Sequence, residues 1–533
     1  MANTKITSRV IADDAILTAH IADDQIASAH IADDVALGGN PTTTTQSAGN
    51  NTTRIATTAF VSTAVANIVN SAPATLDTLG EIATALNNDA ALNTTLTNSI
   101  ATKLPLAGGT MSGNLTINAN LSVDSGTIKL DGNYPTGTGN VALGDTALDT
   151  VEAGGTYNTA IGHNAATAIT TGDHNTSIGA LTLDALSTGE GNTGLGYGAL
   201  SGVTTSSYNT AVGEYAGVSI TTGSHNVAVG RASLYANTTA SNNTAVGSSA
   251  LNANTTGDRN IAVGSLALDA NTTGRFNTAV GHNSGTGVTT GEANTFMGDH
   301  AGALTTTASN NTAVGQSSLA ANTTGHSNVA VGATSLDANT TGIRNTAVGF
   351  ESLSANTTGT QNTAIGKGVL DASTTASYNT GVGYQALSAN TSAQENAAFG
   401  TDSMLATTTG GRNAAFGAYS LGSNTTAANN TAVGYASLYA NTTGTSNTAV
   451  GYASLDANTT ADRNTAVGYQ ALTTNVTGAQ NTAVGYDALK LNTGDANTAM
   501  GEQAMVANTS GTYNAGFGSV SYTHLTLPTI LLV

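Results

Sequence analysis

The sequence predicts an all-β chain, a parallel β-solenoid or β-roll built from about 23 seventeen-residue coils. Three observations carry that prediction. An asparagine recurs at every seventeenth position, at Asn430, Asn447, Asn464 and Asn481 and back without a break to Asn158; a step longer by one then reaches Asn140. Steps of sixteen and then seventeen positions reach Asn497 and Asn514, which makes 23 copies. Within each copy, typified by "NTAVGYASLDANTTADR" from Asn447 to Arg463, the fourth position is always apolar and the fifth is always glycine, from Gly144 to Gly518. Self-similarity at a fixed period means stacked supersecondary units. A repeat of this length is too short for a stable helix pair but suits one coil of strand, glycine-marked bend, short second strand and polar turn. At a strand spacing of about 4.7–4.9 Å, such coils build an elongated fibre of roughly 100 Å.

Each column of the repeat has its own chemistry. The second is mostly Thr or Val, and β-branched residues fit a pleated strand. The ninth is usually Leu, as at Leu251, Leu387, Leu438 and Leu489, and gives way to Gly217, Gly285 and Gly302. A segment such as Ala338 to Gly342, "ANTTG", has turn composition. Stacked asparagines are expected to bond amide to amide along the axis. The invariant glycine is expected to supply a backbone conformation that other residues avoid. The third column holds Ala in most copies, with Gly194, Gly381, Gly516, Ser177 and Phe296 as exceptions. Strand neighbours face opposite sides. With the fourth-column residue inside, the small third column becomes a smooth outward stripe and a subunit interface; the alternative is that Ala lines a narrow interior.

Composition points the same way. Of 533 residues only 8% are charged and 4% aromatic, with no Trp, an inventory for thin stacked coils rather than a compact globular core. A net charge of −19 disfavours nucleic acid and anionic membrane surfaces as partners. The absence of cysteine excludes disulfides and thiolate metal sites, without identifying a compartment. The opening "MANTKITSRVIADDA" has no apolar core of a secretory signal, and no run reaches membrane-helix length, so no membrane insertion is expected.

The solenoid occupies 139–519, and four other segments surround it. Residues 1–40 carry short acidic repeats, with Ile11, Ile21 and Ile31 ten apart beside the pairs Asp13–Asp14, Asp23–Asp24 and Asp33–Asp34. Such pairs could bind Ca²⁺, though solvated turns of a small fibrous repeat are the favoured reading. Residues 41–104 are a linker and a helical, coiled-coil-like section. Phe60, Ala64 and Ile68 form one helical face, Leu76, Leu79, Ile82 and Leu86 a second, and Leu92, Leu96, Ile100 and Leu104 a third. With no second layer to cover them, these helices are expected to pack against copies of themselves. Residues 105–138 read as a β connector, with "PLAGGTMSGNLTI" and the alternating "LSVDSGTIKLDG". Residues 520–533 match no column of the repeat.

"TRIATTAFVSTAV", "ATLDTLGEIATAL" and "PLAGGTMSGNLTI", in that order, resemble the shaft-proximal region of tailed-phage tail fibres. The "NTAVGY" array is similar both to repeats of phage fibres and to the head β-rolls of bacterial trimeric autotransporter adhesins. The resemblance implies a homotrimer made in the host cytoplasm and carried on the virion. Baseplate or tail proteins would hold its N-terminus, and its surface would contact a host cell-surface glycan or protein. The missing secretory signal departs from the adhesin family and weighs toward phage. The final "SVSYTHLTLPTILLV" resembles read-through of a library adapter. Many fibres similar to this one end in a self-cleaving chaperone domain.

A search for chemistry finds little. Nine histidines, among them His163, His282 and His300, show no HxH or HExxH spacing, and no metal site or cofactor is expected. Asp269, Asp337 and Asp456 share a column and read as solvated edge charges rather than a glycosidase pair, so no catalytic residue is assigned. The best binding candidates are the sixth-column rings Tyr197, Tyr384, Tyr435, Tyr452, Tyr469 and Tyr486. Presented at a bend, they could stack on sugar faces and offer hydroxyls, with affinity from multivalency. The other reading is that they cover the edge of the apolar interior. Rivals to the fibre are a bacterial trimeric surface adhesin, a tailspike depolymerase and an ice-binding solenoid. The last needs an uninterrupted Thr array, which Val227, Ile261, Val329, Ala397 and Ala414 break.

Overall fold

The computed structural model describes residues 58–59, 61–63, 94 and 136–519. The chain divides into two units, Met1–Ile128 and Lys129–Val533. In the first, Thr58, Ala59, Val61, Ser62, Thr63 and Thr94 are helical, and the Thr63 hydroxyl donates to the Ala59 carbonyl one turn back (2.8 Å). The acidic repeats of 1–40, the rest of the helical section, the connector up to residue 135 and the tail from residue 520 lie outside the described residues.

The second unit is a parallel β-solenoid. Twenty-three strands of three residues, β1 (Val141–Leu143) through β23 (Ala515–Phe517), form one sheet. Each strand pairs in parallel with its sequence neighbours, column on column: Thr431 faces Thr448, Ala432 faces Ala449 and Val433 faces Val450. One coil is therefore one rung of the stack, and the period read from the asparagines is the rung length.

Two expectations are corrected. Among the described residues no second strand follows the bend; turns fill that part of each rung. The cause is backbone handedness. Columns seven and nine lie in the left-handed region, as at Ala453 (φ 49°) and Leu455 (φ 52°), and an extended strand cannot contain them. Their N–H groups are still satisfied by neighbouring rungs. Ala453 donates to the Tyr435 carbonyl of the rung before (2.9 Å), and Leu455 to the Ala471 carbonyl of the rung after (2.9 Å).

The second correction concerns the strand's orientation. Column three points inward: Ala313, Ala449 and even Phe296 are fully buried, while fourth-column residues lie on the outer surface. The reason is volume. The ninth-column leucines, Leu319 and Leu455 among them, are also fully buried, and a thin coil holds Leu against Ala, not Leu against Val. The outward stripe is thus the larger apolar column, and the interface candidate moves from the third column to the fourth.

The fifth-column glycine is required twice over. Gly315 has φ +132°, and a Cβ on it would lie 2.6 Å from the carbonyl carbon of Gly332 in the next rung. The glycines stack too closely for any side chain.

The asparagine column forms a ladder, mostly through the main chain. Asn464 donates its N–H to Asn447 Oδ1 (2.9 Å) and its Nδ2 to the Gly478 carbonyl of its own rung (2.9 Å). Only in some rungs does amide also meet amide, as Asn175 to Asn158 (3.0 Å). A second ladder, hidden in what reads as a polar turn, runs through buried column twelve. Asn271 Nδ2 donates to Asn254 Oδ1 (2.7 Å), Asn356 to Asn339 (2.9 Å) and Asn458 to Asn441 (2.7 Å). In the early rungs that column is apolar instead, with Ile169, Leu186, Val203 and Ile220 fully buried.

At two of its three interruptions the second ladder strands its last oxygen, while before Thr407 the Asn390 Oδ1 accepts the Ala393 N–H (2.8 Å). Asn271 Oδ1 and Asn356 Oδ1 are buried without partners, and the next rung holds Val288 and Ser373 in that column. Ser373 Oγ is unpartnered as well. Ser373→Asn would join Asn356 to Asn390, give Asn356 Oδ1 a donor and remove the unpartnered hydroxyl. It is expected to stabilise the array by about 1 kcal/mol, measured as a raised urea midpoint at unchanged slope; a lowered midpoint would contradict the ladder.

Candidate functional site

The tyrosines of column six follow the glycine bend, where the chain has turned away from the sheet. Tyr435, Tyr452, Tyr469 and Tyr486 occupy consecutive rungs and stack as one ladder. Ring centroids are 5.4, 5.1 and 5.3 Å apart and the planes within 10° of parallel. The spacing follows from rung stacking, and each offset aromatic pair contributes about 0.5–1.5 kcal/mol. The rings are about half exposed, from 44% to 49%, while Leu438, Leu455, Leu472 and Leu489 fill the interior of the same rungs. The tyrosines are therefore surface groups, not a lid on the core.

Their geometry revises the sugar-stacking expectation. The faces of Tyr452 and Tyr469 are covered by neighbouring rings, so the ladder offers ring edges and a row of hydroxyls. Its column continues into Ala418 on one side and Glu502 on the other. Tyr419 meets Tyr435 edge-on at 5.6 Å. Tyr197 and Tyr384 do not join the ladder. Tyr197 packs edge to face on Tyr215 (5.3 Å, 87°), and Tyr384 has Lys367 and Thr401 at its column in the adjoining rungs.

Three surface features escape a linear reading. The first is the outward fourth column, apolar in all 23 rungs yet substantially exposed: Leu195 at 43%, Met297 at 43%, Phe416 at 42% and Val433 at 37%. Phe399 and Phe416 stack within it (4.8 Å, 7°). The second lies at the other corner of the strand, in column seventeen. There Tyr157 stacks on His174 (5.1 Å), Tyr208 packs on His225 (5.2 Å) and Arg259 sits over the Phe276 ring (5.5 Å).

The third is a cluster of His282, Asp299 and His300. His282 Nδ1 lies 3.1 Å from Asp299 Oδ1, and His300 Nδ1 lies 3.0 Å from Asp299 Oδ2. Hydrogen bonds from His300 and then His282 hold the Asp299 carboxyl below its ordinary pKa. The signal for all three features is spacing by one repeat length, or by one position more, which makes distant residues neighbours on adjacent rungs.

The acidic column is less solvated than expected. Asp269, Asp337 and Asp456 are half-buried, and burial pushes the carboxyls of Asp337 and Asp456 up. A raised folded-state pKa means that their contribution to stability is full at acid pH and falls as pH rises through the carboxylate range. Column ten of the rungs adjoining each of them holds no second carboxylate.

Among the described residues no helix is long and apolar enough to cross a membrane. Comparison of the chain with family models, with curated proteins and with solved structures returns no match, so the functional reading rests on the geometry of these surfaces and on the sequence.

Proposed function

We propose that the chain is a structural and host-attachment protein of a phage tail fibre. In this reading it is a homotrimer that presents many weak, repeated contacts to a host cell-surface glycan or protein, without covalent chemistry. The observation that carries the attachment role is the exposed tyrosine ladder on a stiff repeating scaffold. A row of aromatic edges and hydroxyls with no enclosing cleft suits shallow multivalent binding. The phage assignment, with the N-terminus on baseplate or tail proteins, rests on the three motifs between Thr53 and Ile117.

The fourth column supports assembly. Twenty-three partly exposed apolar residues in one line offer on the order of 1,000 Å², beyond the usual largest patch of a monomer and on the scale of a stable interface. A partner that meets the stripe at every rung must share its period, and a copy of the same chain does so. A bacterial trimeric adhesin would use the same two surfaces, so the phage motifs separate the readings.

The test has two arms. Sedimentation should give the mass of three chains, and Val331→Lys with Val348→Lys should shift it toward one chain while the circular dichroism of the array persists. Labelled protein should be retained on a glycan array or on bacterial cells, with at least tenfold lower retention for Tyr452→Ala with Tyr469→Ala. A wild-type monomer removes the trimer, and undiminished retention of the double variant removes the ladder as the contact surface.

A further inference from the structure

We propose that His282, Asp299 and His300 form a surface binding site for a transition-metal ion of the Zn²⁺, Ni²⁺ or Cu²⁺ class. The inference is independent of the attachment reading. One nitrogen from each histidine and one carboxylate oxygen lie within 4.8 Å of one another. The two nitrogen–oxygen distances of 3.1 and 3.0 Å already match ligand atoms around one ion, since metal bonds of about 2.0–2.2 Å place neighbouring ligands roughly 3–3.5 Å apart. Replacing the two hydrogen-bonded protons by one cation requires small side-chain rotations, not movement of the backbone.

The backbone is held in place. His300 donates its N–H to the His282 carbonyl (3.0 Å), so the two histidines are tied by a bond of the rung stack itself. Their rings meet edge to face, centroids 5.6 Å apart and planes at 70°, so neither covers the other as the tyrosine rings do. The Asn283 side-chain amide lies 3.2 Å from His300 Nε2. Turned oxygen-first, that amide accepts the Nε2–H that a metal-bound Nδ1 carries, and such an outer contact fixes the ligand's tautomer.

The donor set decides the class of ion. Two imidazoles and one carboxylate suit borderline divalent ions and leave open positions for water. Calcium takes six to eight oxygen ligands, and this cluster supplies one carboxylate. Linear spacing hides the site because its residues stand at i, i+17 and i+18. In the stack they are one column and the next on adjoining rungs.

The experiment is calorimetric titration of the full chain with Ni²⁺ and Zn²⁺. Wild type should bind with micromolar affinity, and His282→Ala or Asp299→Asn should each lose one equivalent or weaken it at least tenfold. His326→Ala, elsewhere in the array, should bind like wild type. Co²⁺ added to the wild-type chain should give a visible absorption spectrum of nitrogen and oxygen ligation, which keeps the test decisive if a variant fails to fold. An unchanged isotherm in folded His282→Ala and Asp299→Asn, or no saturable binding below millimolar Co²⁺ or Ni²⁺ in wild type, overturns the proposal.

Discussion

Gly315→Ala is expected to destabilise the solenoid by on the order of 3–5 kcal/mol and to split its unfolding into two steps. The magnitude comes from two effects that can be separated. One is the approach of rungs, with an added Cβ 2.6 Å from the Gly332 carbonyl carbon. The other is the backbone, at φ +132°. Column fifteen isolates the first effect. A Cβ on Gly325 would also run into the carbonyl of the next rung, Gly342, yet that column carries Ala308, Ala427 and Ala461 in other copies. Rungs can shift enough for a methyl group where φ is ordinary. Gly325→Ala is therefore the matched control, expected to cost less than about 1 kcal/mol. Because each rung touches only its neighbours, a single defective contact divides the array into two cooperative blocks. Urea unfolding followed by circular dichroism should show two transitions for Gly315→Ala, and limited proteolysis should cut near the substitution. Equal effects of the two substitutions would show that φ is not what fixes the fifth column.

Phe296→Ala is expected to cost about 3–5 kcal/mol, the usual price of emptying a buried phenylalanine site. Phe296 is the one large residue in the third column and is fully buried. It fits because column nine loses its leucine in its own rung, at Gly302, and in the rung before, at Gly285. A Cβ on Gly285 would stand 2.7 Å from the Phe296 ring, and one on Gly302 would also collide with it. The ring occupies the volume that two leucines fill elsewhere. Restoring the common pattern with Gly285→Leu and Gly302→Leu in the Phe296→Ala background should return most of the lost stability. Leucine tolerates the required backbone there, since Gly302 has φ +61° and Leu319 one rung on has φ 54°. Gly302→Leu alone should be severely destabilising. A triple variant no more stable than Phe296→Ala would show that packing volume does not couple these columns.

These substitutions also explain which parts of the fold were legible in the sequence. The period, the strand position and the need for glycine after it followed from the column of asparagines and the invariance of Gly144 through Gly518. The strand's facing did not, because hydrophobicity alone puts Val inside and Ala outside. The deciding clue lay in paired exceptions. Gly194 sits against Thr182, Gly381 against Val369, and Phe296 against Gly285 and Gly302. Residues that exchange volume share an interior, so column three had to face inward. The missing second strand had a clue as well. Column nine contains Leu, Met, Ala or Gly but no β-branched residue, as suits a left-handed backbone position. Of the candidate contact surface, the tyrosine column was visible as a column. The joining of four rings into one ladder required consecutive rungs, which Tyr197 and Tyr384 lack. The histidine cluster went unseen because motif spacings assume neighbours along the chain rather than across rungs.

The pairing of every rung with the next in identical register, Thr346 on Thr363 as Thr431 on Thr448, has a consequence for how such a gene can change. Excising residues 328–344 would bring Asn345 onto Asn311 and rebuild the junction it removed, since both flanks present the same columns. Recombination between repeats can therefore lengthen or shorten the solenoid in increments of about 4.8 Å. Each step changes the length of the array while leaving every remaining rung-to-rung contact intact.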